Sequence, residues 1–203
     1  MVRQETTRAD FQRIVDLVPE GKNVIDLGCG NGALLQMLRD QKNAAVQGVE
    51  ISIEGVNACI EKGINVFHGD IMDGIKDFAN QSFDFVILSQ TLHELLNPEK
   101  IILEMLRVGR QAIVSFYNLA YFRYRMEFFF KGGFPKDFPY TWKNTYASII
   151  TVKDFKAFCT ELRIDITDEI YLDYNGNAIG PRHANNFAKV ALIVLQKPEN
   201  SFS

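Results

Sequence analysis

The chain has 203 residues, a length that suits one domain with a full hydrophobic core. Apolar residues make up 47% and charged residues 23%, the balance of an ordinary soluble globular protein. A formal net charge of -3 does not favour a nucleic-acid backbone or an anionic membrane as partner.

In chain order, the run Met1-Val2-Arg3-Gln4-Glu5 is charged and lacks the apolar stretch of a signal peptide. No run approaches the length of a membrane span, so a cytoplasmic location is expected. Phe11, Ile14, Val15 and Val18 recur at helical spacing after Asp10, which reads as an N-cap, and Pro19-Glu20-Gly21 ends that segment. Short apolar runs then alternate with amphipathic stretches. Strands are expected at 23–27, 45–50, 65–68, 83–89 and 111–116, with helices at 33–38, 53–62 and 98–107. Near-continuous apolar strands separated by helices indicate a parallel sheet covered on both faces. Two further strands, about 164–171 and 187–195, are joined by a Gly/Asn-rich loop with no room for a crossover helix, so they should pair antiparallel. Residues 198–203 read as a disordered tail.

The first strand runs directly into Asp26-Leu27-Gly28-Cys29-Gly30-Asn31-Gly32 and then a helix. Glycines let the backbone turn sharply and approach a ligand, and the helix N-terminus adds partial positive charge. The loop alone also fits the looser dinucleotide pattern, with Ala33 at the third small position. Asp26 shifts the balance. A pyrophosphate beside that carboxylate would be repelled, whereas S-adenosylmethionine (SAM) brings an amino-acid moiety and no phosphate. Glu50, ending the second strand, lies where an acid binds ribose hydroxyls and serves either cofactor. Gly69-Asp70-Ile71 places a carboxylate and an apolar residue where an adenine could be read, although an Asp after a strand is often only a turn or helix cap.

A catalytic base would sit beyond the fourth strand, where open α/β sheets place their chemistry; the candidates are His93 and Glu94. His93-Glu94 begins like the zinc motif H-E-x-x-H, but Asn97 stands where the second histidine is needed, so no metal site is expected. For His93 itself a solvent-exposed or helix-capping role is the plainer expectation. Ser89-Gln90-Thr91 is not the Asn/Asp-Pro-Pro-Tyr signature of base-amino methylation, which again counts against nucleic acid. Cys29, Cys59 and Cys159 are scattered, arguing against a disulfide framework or structural zinc, and Cys29 reads as structural rather than nucleophilic.

An aromatic-rich insert spans about 117–147, with Tyr121, Phe122, Tyr124, Phe128, Phe129, Phe130, Phe134, Phe138, Tyr140 and Trp142. Arg123, Arg125, Glu127 and Lys131 interrupt it, so it is no membrane span. Tyr121, Tyr124, Arg125 and Phe128 follow helical spacing until Gly132-Gly133. Three readings stand open: a helix covering the sheet edge, a lid over a substrate pocket, or a docking surface for another protein.

Taken together, Asp26 to Gly32, Gly48-Val49-Glu50-Ile51, Val86 to Leu92 and Glu104-Met105-Leu106-Arg107-Val108-Gly109-Arg110 resemble the methionine biosynthesis protein MetW family, within the class I SAM-dependent methyltransferases. The likeness continues through Ala112 to Phe116, Pro139-Tyr140-x-Trp142 and Asp154-Phe155, from about residue 10 to 197. It implies one domain over 1–203: a Rossmann-like three-layer α/β sandwich on a seven-stranded, mostly parallel sheet whose last strand is antiparallel. It also implies SAM as cofactor, with contacts at Asp26, Gly28, Gly30, Glu50, Asp70, Ser89 and Gln90; Cys29, Ile51, Gly69 and Ile71, beside them in the same turns, complete the expected cofactor site. The implied partner is a homoserine O-acyltransferase. The expected function is therefore methylation of a small acceptor, or a non-catalytic SAM-sensing or activating subunit of that acyltransferase. The chain departs from the family pattern at His93, where Gln is expected, and at Thr145-Tyr146-Ala147-Ser148-Ile149, where Thr-Pro-Asn-Ile-His is expected.

Overall fold

A computed structural model describes residues 8–133 and 148–198. The insert residues Phe134, Phe138, Tyr140, Trp142 and Thr145 to Ala147, together with 199–203 of the expected tail, lie outside the described residues.

The elements follow the apolar patterning. Helix α1 (Ala9–Leu17) leads to β1 (Asn23–Leu27), α2 (Ala33–Lys42), β2 (Ala45–Glu50), α3 (Ile53–Glu61) and β3 (Asn65–His68). A one-turn helix α4 (Ile71–Ile75) precedes β4 (Phe83–Ser89), α5 (Pro98–Val108) and β5 (Gly109–Tyr117). Then come α6 (Phe122–Lys131), α7 (Val152–Glu161), β6 (Asp165–Leu172), the two-residue β7 (Ala178–Ile179), α8 (Ala184–Phe187) and β8 (Val190–Gln196). Pro98 at the first turn of α5, behind an Asn97 side chain that caps Lys100 N–H, gives that helix its start. Gly132, at φ 65°, ends α6 in the left-handed conformation that the Gly132-Gly133 pair predicts.

One eight-stranded sheet has the order β3-β2-β1-β4-β5-β8-β6-β7. The pairs among β1 to β5 are parallel, and β8 runs antiparallel to both β5 and β6. Alternate side chains feed two cores. On β8, Ala191, Ile193 and Leu195 join α4, α5 and α7 residues on one face, while Val190, Leu192 and Val194 join α1 and α2 on the other.

Three details differ from the sequence reading. The eighth strand is β7, a two-residue return that pairs Tyr171 with Ile179 and is too short to leave an apolar signature. The last strand starts at Val190 rather than 187, because Phe187 closes α8. Asp10 is not the cap of α1 but lies inside its first turn, with Arg8 in the cap position.

Beyond β5 the chain is pinned by Asn118, which is fully buried. Its amide donates to the carbonyls of Asn185 (3.0 Å) and Ala188 (2.9 Å), and its carbonyl accepts from Ala120 N–H and Val152 N–H, both at 3.2 Å. One side chain thus ties the exit of β5 to the starts of α7 and α8.

Candidate functional site

The site begins with the turn after β1. Gly28 sits at φ +75°, and a Cβ placed on it would lie 2.8 Å from Thr91 Oγ1. Only glycine fits both the backbone angle and the close approach of the chain leaving β4. The N–H groups of Gly28 and Cys29 both donate to Val49 O, at 2.8 and 3.0 Å, so the turn is tied to β2.

Asp26 points its carboxylate into this turn. It is 2% exposed, and its Oδ1 has no hydrogen-bond partner among the described residues. Burial pushes its carboxyl up to about 7; the charges of Glu50 and Asp10 add to the rise, and Arg8 opposes it. A buried acceptor without a donor is costly, and the natural remedy is a cationic donor from a ligand. Space for one exists: a cavity of about 460 Å³ is lined by Asp26, Gly28, Cys29, Gly30, Ser89, Arg8 and residues of α1 and α2.

Glu50 is joined to the same turn from the other side. Its Oε2 accepts from Gly30 N–H at 2.7 Å and its Oε1 from Ser52 N–H at 2.8 Å. Each oxygen keeps a further lone pair for a hydroxyl donor. Space for this contact comes from Gly55 in α3, where a Cβ would fall 2.8 Å from both Glu50 Cγ and Gly30 O. The expected Glu50, Ile51, Gly69, Asp70, Ile71 and Gln90 are not walls of the cavity. Ile51 is 69% exposed, and Ile53 and Phe67 are exposed near it in sequence or across the β2–β3 pair, leaving an apolar shelf at the ends of β2 and β3. Asp70 caps α4 by accepting from Met72 N–H at 2.8 Å, the helix-cap role open to such an Asp, and Ile71 is buried behind it.

Sequence reasoning missed a polar cluster on the floor of the site. Asp10, 1% exposed, receives hydrogen bonds from Arg8 through Nε and Nη2, from Ser115 Oγ at 3.0 Å, from Gln90 Nε2 at 3.0 Å and from Ser89 Oγ at 3.3 Å. Gln90 is held at φ 57°, an uncommon angle for a non-glycine residue and one often found at sites. Around Asp10 the sequence shows the periodicity of α1 and an N-cap candidate. The one further signal available is that Asp10 stands four residues before Ile14 and eight before Val18, on the apolar face of an amphipathic helix.

His93 is 1% exposed, not at the surface. Its Nδ1 donates to Ser148 O at 2.9 Å and its Nε2 accepts from Tyr117 N–H at 3.1 Å, which fixes a neutral tautomer and occupies both nitrogens. Burial also lowers its basicity, against the smaller pull of the Ser148 bond. In this geometry His93 ties β4 to β5 and to the end of the insert. Glu94 stands outside at the surface, its carboxyl raised by partial desolvation and then by the charge of Glu50. Cys29 Sγ lies 3.7 Å from Cys59 Sγ, and burial raises both thiols, so neither is an activated nucleophile. Among the described residues no group of three or more His, Cys, Asp or Glu could hold a metal ion, and no helix is long and apolar enough to cross a membrane.

A parallel half-sheet ordered 3-2-1-4-5, a reversed strand beyond it, a glycine turn after β1 and an acid ending β2 define the Rossmann-like fold of the SAM-dependent methyltransferases. A SAM-dependent methyltransferase from Thermotoga maritima, described as a possible histamine N-methyltransferase, matches with a TM-score of 0.67 at 18% identity, over 94% of this chain and 88% of that one. One from Archaeoglobus fulgidus matches with a TM-score of 0.64 at 15% identity, over 93% and 92%. The chain belongs to the family described as methionine biosynthesis protein MetW, whose profile matches residues 8–195. It is 34% identical over 208 residues to a bifunctional methionine biosynthesis protein MetXA/MetW from Rhodopirellula baltica. That alignment covers 96% of this chain and 33% of the relative, so the chain spans about a third of that protein's length.

Proposed function

We propose that this chain binds SAM at the β1–β2 end of the sheet and serves methionine biosynthesis in the cytoplasm. The observation that carries the reading is the orphaned Oδ1 of Asp26 facing a cavity beside a glycine turn. A cofactor ammonium would satisfy it, and a dinucleotide pyrophosphate would not. The backbone of Gly28, Cys29 and Gly30 leaves room for the cofactor, and Glu50 would accept from ribose hydroxyls. Ile51, with Gly69 and Asp70, would flank the adenine at the exposed shelf, and Ile71 would support it from the buried side. Ser89 would close the site toward β4, with Gln90 behind it bonded to Asp10.

When bound, SAM supplies an electrophilic methyl group on its sulfonium. The chain's own contribution would be to hold a small acceptor in line and exclude water, since positioning supplies much of the rate of such a step. His93 is committed to Ser148 and Tyr117, so an acceptor that needs a base would have to find it in Glu94 or in solvent. Calorimetric titration with SAM and, separately, NAD tests the cofactor assignment. Saturable SAM binding with no NAD binding supports it; absence of SAM binding ends it.

A second reading has its own support. The Rhodopirellula relative is named for MetXA and MetW together in one chain. The MetW unit would then be a SAM-sensing or activating subunit of a homoserine O-acyltransferase, feeding the level of a downstream product back on the pathway. Mixing purified chain with homoserine O-acyltransferase, with and without SAM, separates the two. A SAM-dependent change in acyl transfer without methyl turnover selects the subunit, and methyl turnover on a small acceptor selects the enzyme.

A further inference from the structure

Helix α6 walls a cavity that the cofactor reading leaves unused. Its volume is about 390 Å³, and it is lined by Leu119, Ala120, Tyr124, Phe128 and Ile149, with Arg125 and Thr151. None of these residues lines the cavity at the glycine turn. Leu119 N–H donates to Ile150 O at 3.0 Å and Ser148 N–H to His93 O at 2.9 Å, so residues 148–151 bridge the chain leaving β4 to the chain leaving β5. Thr91, two residues before His93, is the residue that Gly28 packs against. The cavity therefore stands at the carboxyl ends of β4 and β5 and is joined to the glycine turn through that loop. Open α/β sheets take their ligands at such a place.

Arg125 is the charged member of this lining. Thr151 Oγ1 is spent on Asp154, donating to its carboxylate at 2.7 Å and accepting from its N–H at 3.1 Å. Arg125 Nη2 donates to Asn186 Oδ1 at 2.9 Å, which braces the guanidinium against α8. Its other side-chain N–H groups have no partner among the described residues, and no carboxylate there pairs with it. An apolar wall with one braced cationic fork fits an apolar body that ends in a carboxylate, because the fork matches two carboxylate oxygens.

The same ligand class resolves the want of a base. Both nitrogens of His93 are committed, and a carboxylic acid is already ionised at neutral pH, so its oxygen can attack without giving up a proton. Resting on the methyltransferase reading above, we infer that the acceptor is a small carboxylic acid with an apolar chain or ring, seated with its carboxylate on Arg125, and that the product is its methyl ester. One carboxylate oxygen bonds to the methyl carbon as the carbon–sulfur bond breaks, and that bonding pair stays on sulfur. The negative carboxylate and the positive sulfonium leave as a neutral ester and a neutral thioether, and no proton moves. Loss of the negative charge also frees the product from Arg125.

Two readouts test this, one of them without SAM. Titrate the protein alone, by heat of binding, with butanoate, hexanoate, octanoate, decanoate and phenylacetate, each beside its primary amide. The best acid should bind about 10-fold more tightly than its amide, the scale of one charge-assisted contact. Arg125→Gln, checked for folding by thermal unfolding, should bring that ratio to within about twofold and leave SAM affinity unchanged, since Arg125 lies apart from the glycine-turn cavity. With methyl-labelled SAM, the same acid should yield label that alkali releases as methanol, the mark of a methyl ester, and the ester itself should bind no better than the amide. If no acid is preferred over its amide, or if the preference survives Arg125→Gln, the carboxylate seat is overturned. An acid that binds at Arg125 yet gives no alkali-labile label, in protein that binds SAM, overturns the acceptor assignment. Protein that binds no SAM ends the cofactor reading instead, and the ratio of acid to amide still decides the seat.

Discussion

Glu50 and Gly30 are joined by a 2.7 Å hydrogen bond from the Gly30 N–H to Glu50 Oε2, which locks the end of β2 to the glycine turn after β1. The acid expected to read ribose therefore also shapes the turn that approaches the cofactor. Glu50→Ala should weaken SAM binding by about 1–3 kcal/mol and lower the melting temperature as well, because two backbone donors lose their acceptor. Calorimetry and thermal unfolding on the same preparation measure both. Unchanged affinity would remove Glu50 from the ribose site.

Gly55→Ala probes that lock from α3. A helix interior gains stability from alanine, by up to about 1 kcal/mol. Here the new Cβ would meet Glu50 Cγ and Gly30 O at 2.8 Å. SAM affinity should fall by about tenfold while the melting temperature barely moves, the two effects on stability offsetting each other. Full affinity would show that α3 can retreat without disturbing the turn.

Asp26 gives the unliganded protein a pH signature. Its carboxyl is raised from an ordinary value near 3.8 to about 7, so the folded state holds a proton that the unfolded state has released. Stability should accordingly decline as pH rises from about 4 to 7 and level off above, by an amount bounded by about 1.4 kcal/mol per pH unit. Asp26→Asn should flatten that decline, raise the melting temperature at pH 8 and weaken SAM binding. Binding an ammonium at Asp26 should also expel a proton near pH 7, seen as a buffer-dependent binding enthalpy.

His93 acts in the opposite pH range. Its basicity is lowered by burial, so the folded state prefers the neutral ring and the unfolded state, near pKa 6.5, takes the proton more readily. Its contribution is complete above about pH 6.5 and is lost as pH falls through the lowered folded value. His93→Ala should cost about 2–3 kcal/mol at neutral pH, from an unmet Ser148 carbonyl and Tyr117 N–H. Denaturant midpoints at pH 5 and 7.5 compare the two proteins. A variant with wild-type stability at both would contradict the tie.

Asn118→Ala removes the junction that joins β5, α7 and α8. With the side chain fully buried and both its amide and its carbonyl in use, the loss should be about 3 kcal/mol, and Asn118→Asp should do no better because a carboxylate cannot donate to Ala188 O. Urea unfolding provides the number.

Features written in consecutive residues were legible in the sequence. The turn from Asp26 to Gly32 and the acid Glu50 announce themselves through local backbone chemistry, and the reversed β8 through a connection too short for a crossover. What escaped is assembled across the chain. Ser89 and Ser115 lie 79 and 105 residues along the sequence from Asp10, and nothing in the spacing says that they meet. Gly55 looks like a weak point in a helix until Glu50 is placed against it. His93 reads from the sequence as exposed or helix-capping because polar residues just past a strand usually are, and its burial depends on a return of the chain at Ser148 that no local pattern encodes.

The reversed direction of β8 has a practical side. Gln196, its last residue, pairs with Gln111 near the start of β5, whereas Val190 pairs with Tyr117 at the edge that bears the cavity. A tether attached through the residues after Gln196 would leave from the rear of the sheet and keep the cavity mouth facing bulk solvent. Attachment at Arg8 itself, a residue of the cavity wall, would crowd that mouth. Surface-immobilised protein should therefore report unhindered binding kinetics when anchored from the rear, and a slowed on-rate when anchored from the front.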